Sequence, residues 1–176
     1  INRITTQQNS EEPEETVVDN LTYLPFGGVA DITFGNGIQS HISYDQDYRV
    51  ESISSFSSNE DVLHKLYSYD TANNIVAIDD LSNTASNQMI NYDNLSRISE
   101  ETGSYWIKTY TYDSVGNRLE RETQVTDNQG NVTVQREPLT YADDSNQLVK
   151  RGNKDTVLDS NGNTTSELNG RNMFTY

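Results

Sequence analysis

The sequence predicts an all-β protein: an array of stacked antiparallel β-hairpins. Three observations lead there. Asn, Ser and Thr make up close to a third of the 176 residues, with eleven Tyr and only two Met, so strand and turn formers outweigh helix formers. A phrase recurs along the chain: an aromatic–aspartate pair, a short polar turn, then an apolar-polar strand. Its tyrosines, Tyr44, Tyr69, Tyr92, Tyr112 and Tyr141, are separated by 25, 23, 20 and 29 residues. Such an interval suits two strands of roughly 8 residues and two connections, one hairpin per repeat.

Taken in order, the elements begin with a different kind of segment. Residues 1–20 read as a partial repeat strand and an acidic loop, because Ser10–Glu15 (SEEPEE) is charged and contains Pro13. The repeat array then covers 21–176. Pro25 and the Gly27-Gly28 pair bend the chain before a strand around Ile32–Phe34, and Gly35-Asn36-Gly37 is a turn. Tyr44-Asp45 leads to Arg49-Val50, and Tyr69-Asp70 leads through Asn73-Asn74 to Ile75. Tyr92-Asp93 leads to Arg97-Ile98. Tyr112-Asp113 leads to Gly116-Asn117-Arg118-Leu119. Asp127–Asn131 is a further turn-rich stretch and accounts for the 29-residue interval. Tyr141-Ala142-Asp143 and Leu158-Asp159 head degenerate copies. Only Asp61–Leu66 carries apolar residues at a helical spacing.

The phrase has a chemical logic. In Lys108-Thr109-Tyr110-Thr111-Tyr112 the aromatics alternate with threonines, which puts Tyr110 and Tyr112 on one face of a strand. Asp113 can bond backbone amides inside the turn that follows. Gly116 falls where a type I turn with a glycine bulge needs positive φ. The turns after Tyr44, Tyr69 and Tyr92 lack Gly, and Asn74 is expected to take the left-handed position in the second of them. Leu119 is expected to return to the core beside the tyrosines. Hairpins of this size hold little core each, so they must stack on neighbours.

Composition narrows the function. The net charge is −15 and the pI near 4.3, which repels phosphate backbones and anionic lipid; neither nucleic-acid binding nor membrane insertion is expected. With no cysteine, disulfides and thiol ligands are excluded. The absence of an initiator Met points to a fragment truncated at both ends. His41 and His64 sit in strand-like contexts, and no serine lies in a Gly-x-Ser-x-Gly elbow. Asp159-Ser160-Asn161-Gly162-Asn163 has a calcium-loop look but lacks Gly at position 6 and an acid at position 12. No catalytic, cofactor or metal residue is assigned.

Tyr112-Asp113-Ser114-Val115-Gly116-Asn117-Arg118-Leu119 resembles throughout the Tyr-Asp-x-x-Gly-Asn/Arg-Arg/Leu signature of the Rhs or YD-repeat family. That family includes bacterial Rhs polymorphic toxins, the C component of insecticidal toxin complexes, wall-associated proteins and teneurins. Tyr23–Gly27 followed by Phe34-Gly35-Asn36-Gly37 is similar to its (Tyr/Phe)-Gly-Asn-Gly variant. The resemblance implies that these hairpins are a segment of a spiral β-sheet shell, which in the toxins encloses a C-terminal toxic domain. It implies partners in the rest of that shell and in an enclosed toxin domain, and a place outside a bacterium or on its surface. The family's closing Pro-x-x-x-x-Asp-Pro-x-Gly-Leu segment, where self-cleavage occurs, has no match.

Two functions from different classes follow. One is a non-catalytic structural module, with Tyr44, Asp45, Tyr69, Asp70, Tyr92, Asp93, Tyr112, Asp113, Gly116, Asn117, Arg118 and Leu119 as its signature. The other is a cell-surface module that recognises carbohydrate or a partner protein, with Trp106 and Tyr105 as a platform for a sugar ring. Open strand edges add an expectation of self-association.

Overall fold

A computed structural model of the chain describes residues 3–6, 15–58, 60–167 and 172–173. The acidic residues 10–14 and Tyr176 lie outside the described residues. The chain divides into two compact units, Ile1–Met89 and Ile90–Tyr176.

The first unit contains β1 (Ile4–Thr6), β2 (Glu15–Tyr23), β3 (Val29–Phe34), β4 (Gln39–Tyr44), β5 (Val50–Ser57), β6 (Glu60–Tyr69) and β7 (Ile75–Asp80). A single 3₁₀ turn, Thr84–Ser86, precedes β8 (Gln88–Tyr92), which begins in this unit. The second unit holds β9 (Ile98–Gly103), β10 (Trp106–Tyr112), β11 (Arg118–Thr126), β12 (Val132–Tyr141), β13 (Leu148–Arg151), β14 (Lys154–Leu158), β15 (Thr164–Glu167) and β16 (Asn172–Met173). Every pairing joins a strand to its neighbour in sequence and is antiparallel, as in Ser40↔Ser55 between β4 and β5 or Tyr110↔Arg121 between β10 and β11. The described residues are therefore all-β, and within each unit the strand pairs form hairpins between sequence neighbours. Asp61–Leu66 lies inside β6, so its helical spacing yields to pairing on both sides, Ser55↔Leu63 and Leu66↔Asp79 among them.

One irregularity recurs. The strand register slips by one residue immediately before Tyr44, Tyr69, Tyr112 and Tyr141, and again before Leu158. Such a bulge bends the strand and sharpens its twist. Of the hairpins that turn on the opposite side, β3–β4, β11–β12 and β13–β14 keep an unbroken register, whereas β5–β6 slips between Ser55 and Phe56. The slip that recurs at one fixed place in the phrase is the one at the tyrosine.

This bulge overturns one expectation. Tyr112 pairs with Arg118, not with the residue that simple alternation would bring opposite it. Leu119 is left 41% exposed, while the Arg118 guanidinium lies 5.6 Å from the centre of the Tyr110 ring. Leu119 is not a core residue.

Among the described residues the apolar core is thin. Ala30, Ile90 and Leu139 are the buried apolar side chains, and none falls below 2% exposure. Tyr44, Tyr69, Tyr92, Tyr110, Tyr112 and Tyr141 are all half-buried. Rings of this kind supply apolar area while their hydroxyls stay available for hydrogen bonds.

Candidate functional site

The residues with the densest network are the turns that follow the tyrosines. In the turn after Tyr112, the Asp113 N–H donates to the Asn117 carbonyl at 2.9 Å, and the Gly116 N–H donates to the Asp113 carbonyl at 3.3 Å. Asp113 Oδ1 accepts from the backbone N–H of Val115 and Asn117 at 3.0 and 2.8 Å. Asp45, Asp70 and Asp93 receive the same pair of backbone bonds from the residues two and four further on. An aspartate suits the post because one carboxylate oxygen can take two amides that would otherwise face water unpaired.

The same turn closes where no tyrosine stands before it. Asp127 and Asp159 each accept from the residues two and four ahead, and their second oxygens take the side-chain amides of Asn131 and Asn163. The loop at Asp159 is therefore this turn. Both carry the Asp-x-x-Gly-Asn spacing of Asp113; the sequence marks Leu158-Asp159 as a degenerate copy but Asp127–Asn131 only as a turn-rich stretch. Ala142 replaces the aspartate after Tyr141, and that loop is one residue longer, its Ala142 N–H reaching the Gln147 carbonyl.

The third residue after each aspartate takes positive φ. Gly116, Gly130 and Gly162 do so at 100°, 84° and 84°, and the turns lacking glycine use Tyr48, Asn73 and Ser96 at 63°, 67° and 57°. The expectation for Asn74 is corrected: the left-handed residue is Asn73. Asn74 instead donates its side-chain amide to Asp70 Oδ2 at 3.0 Å, the role Asn117 plays at Asp113.

In two turns an arginine holds that fourth position. Arg49 Nε donates to Asp45 Oδ2 at 2.7 Å with its Nη2 also 2.7 Å away, and Arg97 does the same to Asp93. Each guanidinium then reaches the next hairpin. Arg49 covers the Tyr69 ring at 4.6 Å and donates to Asn73 Oδ1; Arg97 covers the Tyr112 ring at 4.5 Å and donates to the Asp113 carbonyl. A guanidinium does both jobs because its edge donates in a fork while its face stacks.

The tyrosine hydroxyls complete the joint. Tyr44 donates to the Val29 carbonyl, Tyr69 to Val50, Tyr112 to Ile98 and Tyr141 to Arg118, at 2.7 to 3.0 Å. In every case the acceptor is the first strand residue after the preceding turn. Each such tyrosine thus clasps the hairpin before its own, and Asn117 adds a turn-to-turn bond to Asn146 Oδ1.

The electrostatics match the bonding. Asp70, Asp93, Asp127 and Asp159 are held below the usual carboxylate range by the side-chain donor four residues ahead and then by the turn amides. For Asp45 and Asp113 desolvation pushes upward most strongly, but the combined hydrogen bonds outweigh it and the net shift is down. Burial raises Tyr69 and Tyr112. Tyr110, desolvated and donating to Glu101 Oε2 at 2.8 Å, is pushed up to about 12.

The remaining candidates lie elsewhere. Trp106 is half-buried, with the Lys108 ammonium 4.0 Å from its ring centre and Gly103 against its edge. Tyr105 is 56% exposed just outside β10. The ring-to-ring contacts among the described residues join Phe26 to Tyr44 and Tyr48, so the structure does not bring Trp106 and Tyr105 together as one stacked surface. His41 Nδ1 lies 2.8 Å from Asp31 Oδ1 in a shallow groove of about 340 Å³, and Thr22 donates its hydroxyl to the other Asp31 oxygen. The hydroxyl and the imidazole converge on the carboxylate, whereas a nucleophile would need its hydroxyl on the imidazole. Among the described residues no cluster of three or more His, Asp or Glu is placed to hold a metal ion, and no helix is long and apolar enough to cross a membrane.

No family model and no curated protein matches the sequence. Solved structures do match in fold. A chain of the TcdB2–TccC3–Cdc42 crystal structure superimposes with a TM-score of 0.74 at 15% identity, over 91% of this chain and 10% of that one. The TcdB2–TccC3–TEV structure gives 0.74 at 16% identity, over 94% of this chain and 11% of that one. For the Tc holotoxin pore of Photorhabdus luminescens the values are 0.72, 16%, 89% and 10%. The chain thus shares its fold with these toxin-complex chains and spans about a tenth of their length.

Proposed function

We propose that this chain is a passive wall module of an Rhs-type protein, one stretch of a β-sheet shell that encloses or presents an effector polypeptide. Secretion from a bacterium or display on its surface belongs to the same reading. The observation that carries it is the clasp repeated from hairpin to hairpin, tyrosine hydroxyl to preceding strand and arginine to following ring. Such joints extend a ribbon indefinitely, and the register slip just before Tyr44, Tyr69, Tyr112 and Tyr141 bends the strand at each of these positions. The likeness in fold to toxin-complex chains adds support.

The module is proposed to be non-catalytic. Its turn aspartates spend their oxygens on backbone amides, and the His41–Asp31–Thr22 set has its hydroxyl on the wrong partner for acyl transfer. The test is protease protection in a protein that carries this module with its flanking sequence. The enclosed polypeptide should resist digestion until denaturant opens the array. Digestion at the rate of the same polypeptide expressed free would reject the containment reading.

A further inference from the structure

The two longest hairpins, β5–β6 and β11–β12, overshoot their neighbours. On β12 the consequence is an open backbone edge. It pairs with β11 from Val132 to Pro138, but with β13 only at Leu139, Thr140 and Tyr141. The Pro138 carbonyl, which accepts the Gly152 N–H at 2.7 Å, faces the β13 side. Antiparallel alternation then turns the N–H and C=O of Val132, Val134 and Arg136 the same way. Thr126, opposite Val132, confirms the phase by sending its own N–H in the other direction, to the Tyr105 carbonyl. Among the described residues nothing pairs with this edge between Val132 and Glu137.

Its first four side chains, Val132 to Gln135, carry no charge to guard it. Val132 and Val134 are 57% and 49% exposed, and Val132-Thr133-Val134-Gln135 has strong strand propensity. The corresponding overhang of β6 begins with Glu60 and Asp61, charges of the kind that discourage strand addition. The β12 edge carries one charge of each sign, Arg136 and Glu137, in a chain whose net charge is −15.

We infer that the Val132–Glu137 edge of β12 pairs antiparallel with the same edge of a second copy of this chain, about a two-fold axis at Val134. The sequence is self-complementary in that register. Val134 faces Val134 of the other copy, Thr133 faces Gln135, Val132 faces Arg136, and Glu137 faces Asn131. No like charges stand opposite, and each outward amide gains an acceptor.

The test is sedimentation of the full chain across the micromolar to millimolar range, wild type against two variants. Val134→Pro deletes an outward N–H while leaving the β11 ladder intact. Val134→Lys sets two ammonium groups face to face across the axis. A concentration-dependent wild-type dimer is expected, with at least about tenfold weaker association in both variants. Circular dichroism and unfolding midpoints check that each variant is folded. A wild type that stays monomeric throughout, or a dimer that survives in both folded variants, overturns the inference.

Discussion

Tyr112 offers the sharpest test of how one hairpin holds the next. Its hydroxyl donates to the Ile98 carbonyl at 2.8 Å, and its half-buried ring lies beneath the Arg97 guanidinium at 4.5 Å. Tyr112→Phe deletes only the hydroxyl. A neutral hydrogen bond of this kind contributes about 1 kcal/mol, roughly a fivefold change in the folded-to-unfolded ratio. Tyr112→Ala also removes the ring. Half of a fully buried aromatic's transfer energy adds about 1.5 kcal/mol, and the lost cation–π contact adds about 0.5 kcal/mol. The alanine variant should therefore be less stable by about 3 kcal/mol in urea unfolding followed by circular dichroism. Tyr105→Ala is the control, because that ring is 56% exposed; its cost should stay within about 0.5 kcal/mol. A double-mutant cycle with Arg97→Ala should return a coupling of about 0.5 to 1 kcal/mol. Equal midpoints for Tyr112→Ala and Tyr105→Ala would refute the claim that these rings join hairpins.

Other outcomes follow from the turns and the packing. Gly116→Ala meets open space but keeps φ near 100°, so backbone strain alone should cost about 1 kcal/mol in the same assay. Gly103→Ala would place its Cβ 2.5 Å from the Trp106 ring, so it should destabilise by about 1 to 3 kcal/mol and shift the emission of the chain's single Trp. The turn aspartates are lowered in the folded state, so their stabilisation is complete above the unfolded carboxylate value of about 4 and is lost as pH falls through the folded values. Urea midpoints attributable to these groups should be flat near neutrality and drop in acid, and midpoints unchanged down to strongly acid pH would contradict the assignment. Tyr110 has the opposite sign. Raised to about 12, it should ionise well above an ordinary tyrosine in an ultraviolet titration, and its contribution should be lost only as pH climbs past the ordinary tyrosine value towards 12.

The all-β class and the aspartate turns were legible because both are local. Alternating threonine and tyrosine in Lys108–Tyr112 sets the strand period, and Asp113 with Gly116 specifies its turn within four residues. What escaped depends on atoms far apart in sequence or on a shift of one residue. Nothing in Tyr48 or Ser96 advertises a left-handed backbone; closure of the turn around Asp45 and Asp93 imposes it. Leu119 was misplaced because a bulge, invisible to periodicity, exchanges it for Arg118. Arg49 and Arg97 stood in plain view after their turns, yet their second task is on rings 20 and 15 residues away. The free edge of β12 depends on how short β13 is, which no property of β12 announces.

Within each unit the tyrosine clasps lie at one end of the hairpins and divide labour between the two ends of the strands. At the tyrosine ends, Tyr44 and Tyr69 in the first unit and Tyr112 and Tyr141 in the second, spacing and chemistry are fixed to within a residue, like the teeth of a zip fastener. The far margin, where β11 and β12 run on to the loop at Asp127–Asn131, carries no such obligation. Length can be added or trimmed there while the teeth stay in step. That freedom accommodates intervals between tyrosines as short as 20 and as long as 29 residues, and it makes the Asn128–Gly130 tip the natural place to graft a tag, a binding loop or a cleavage site.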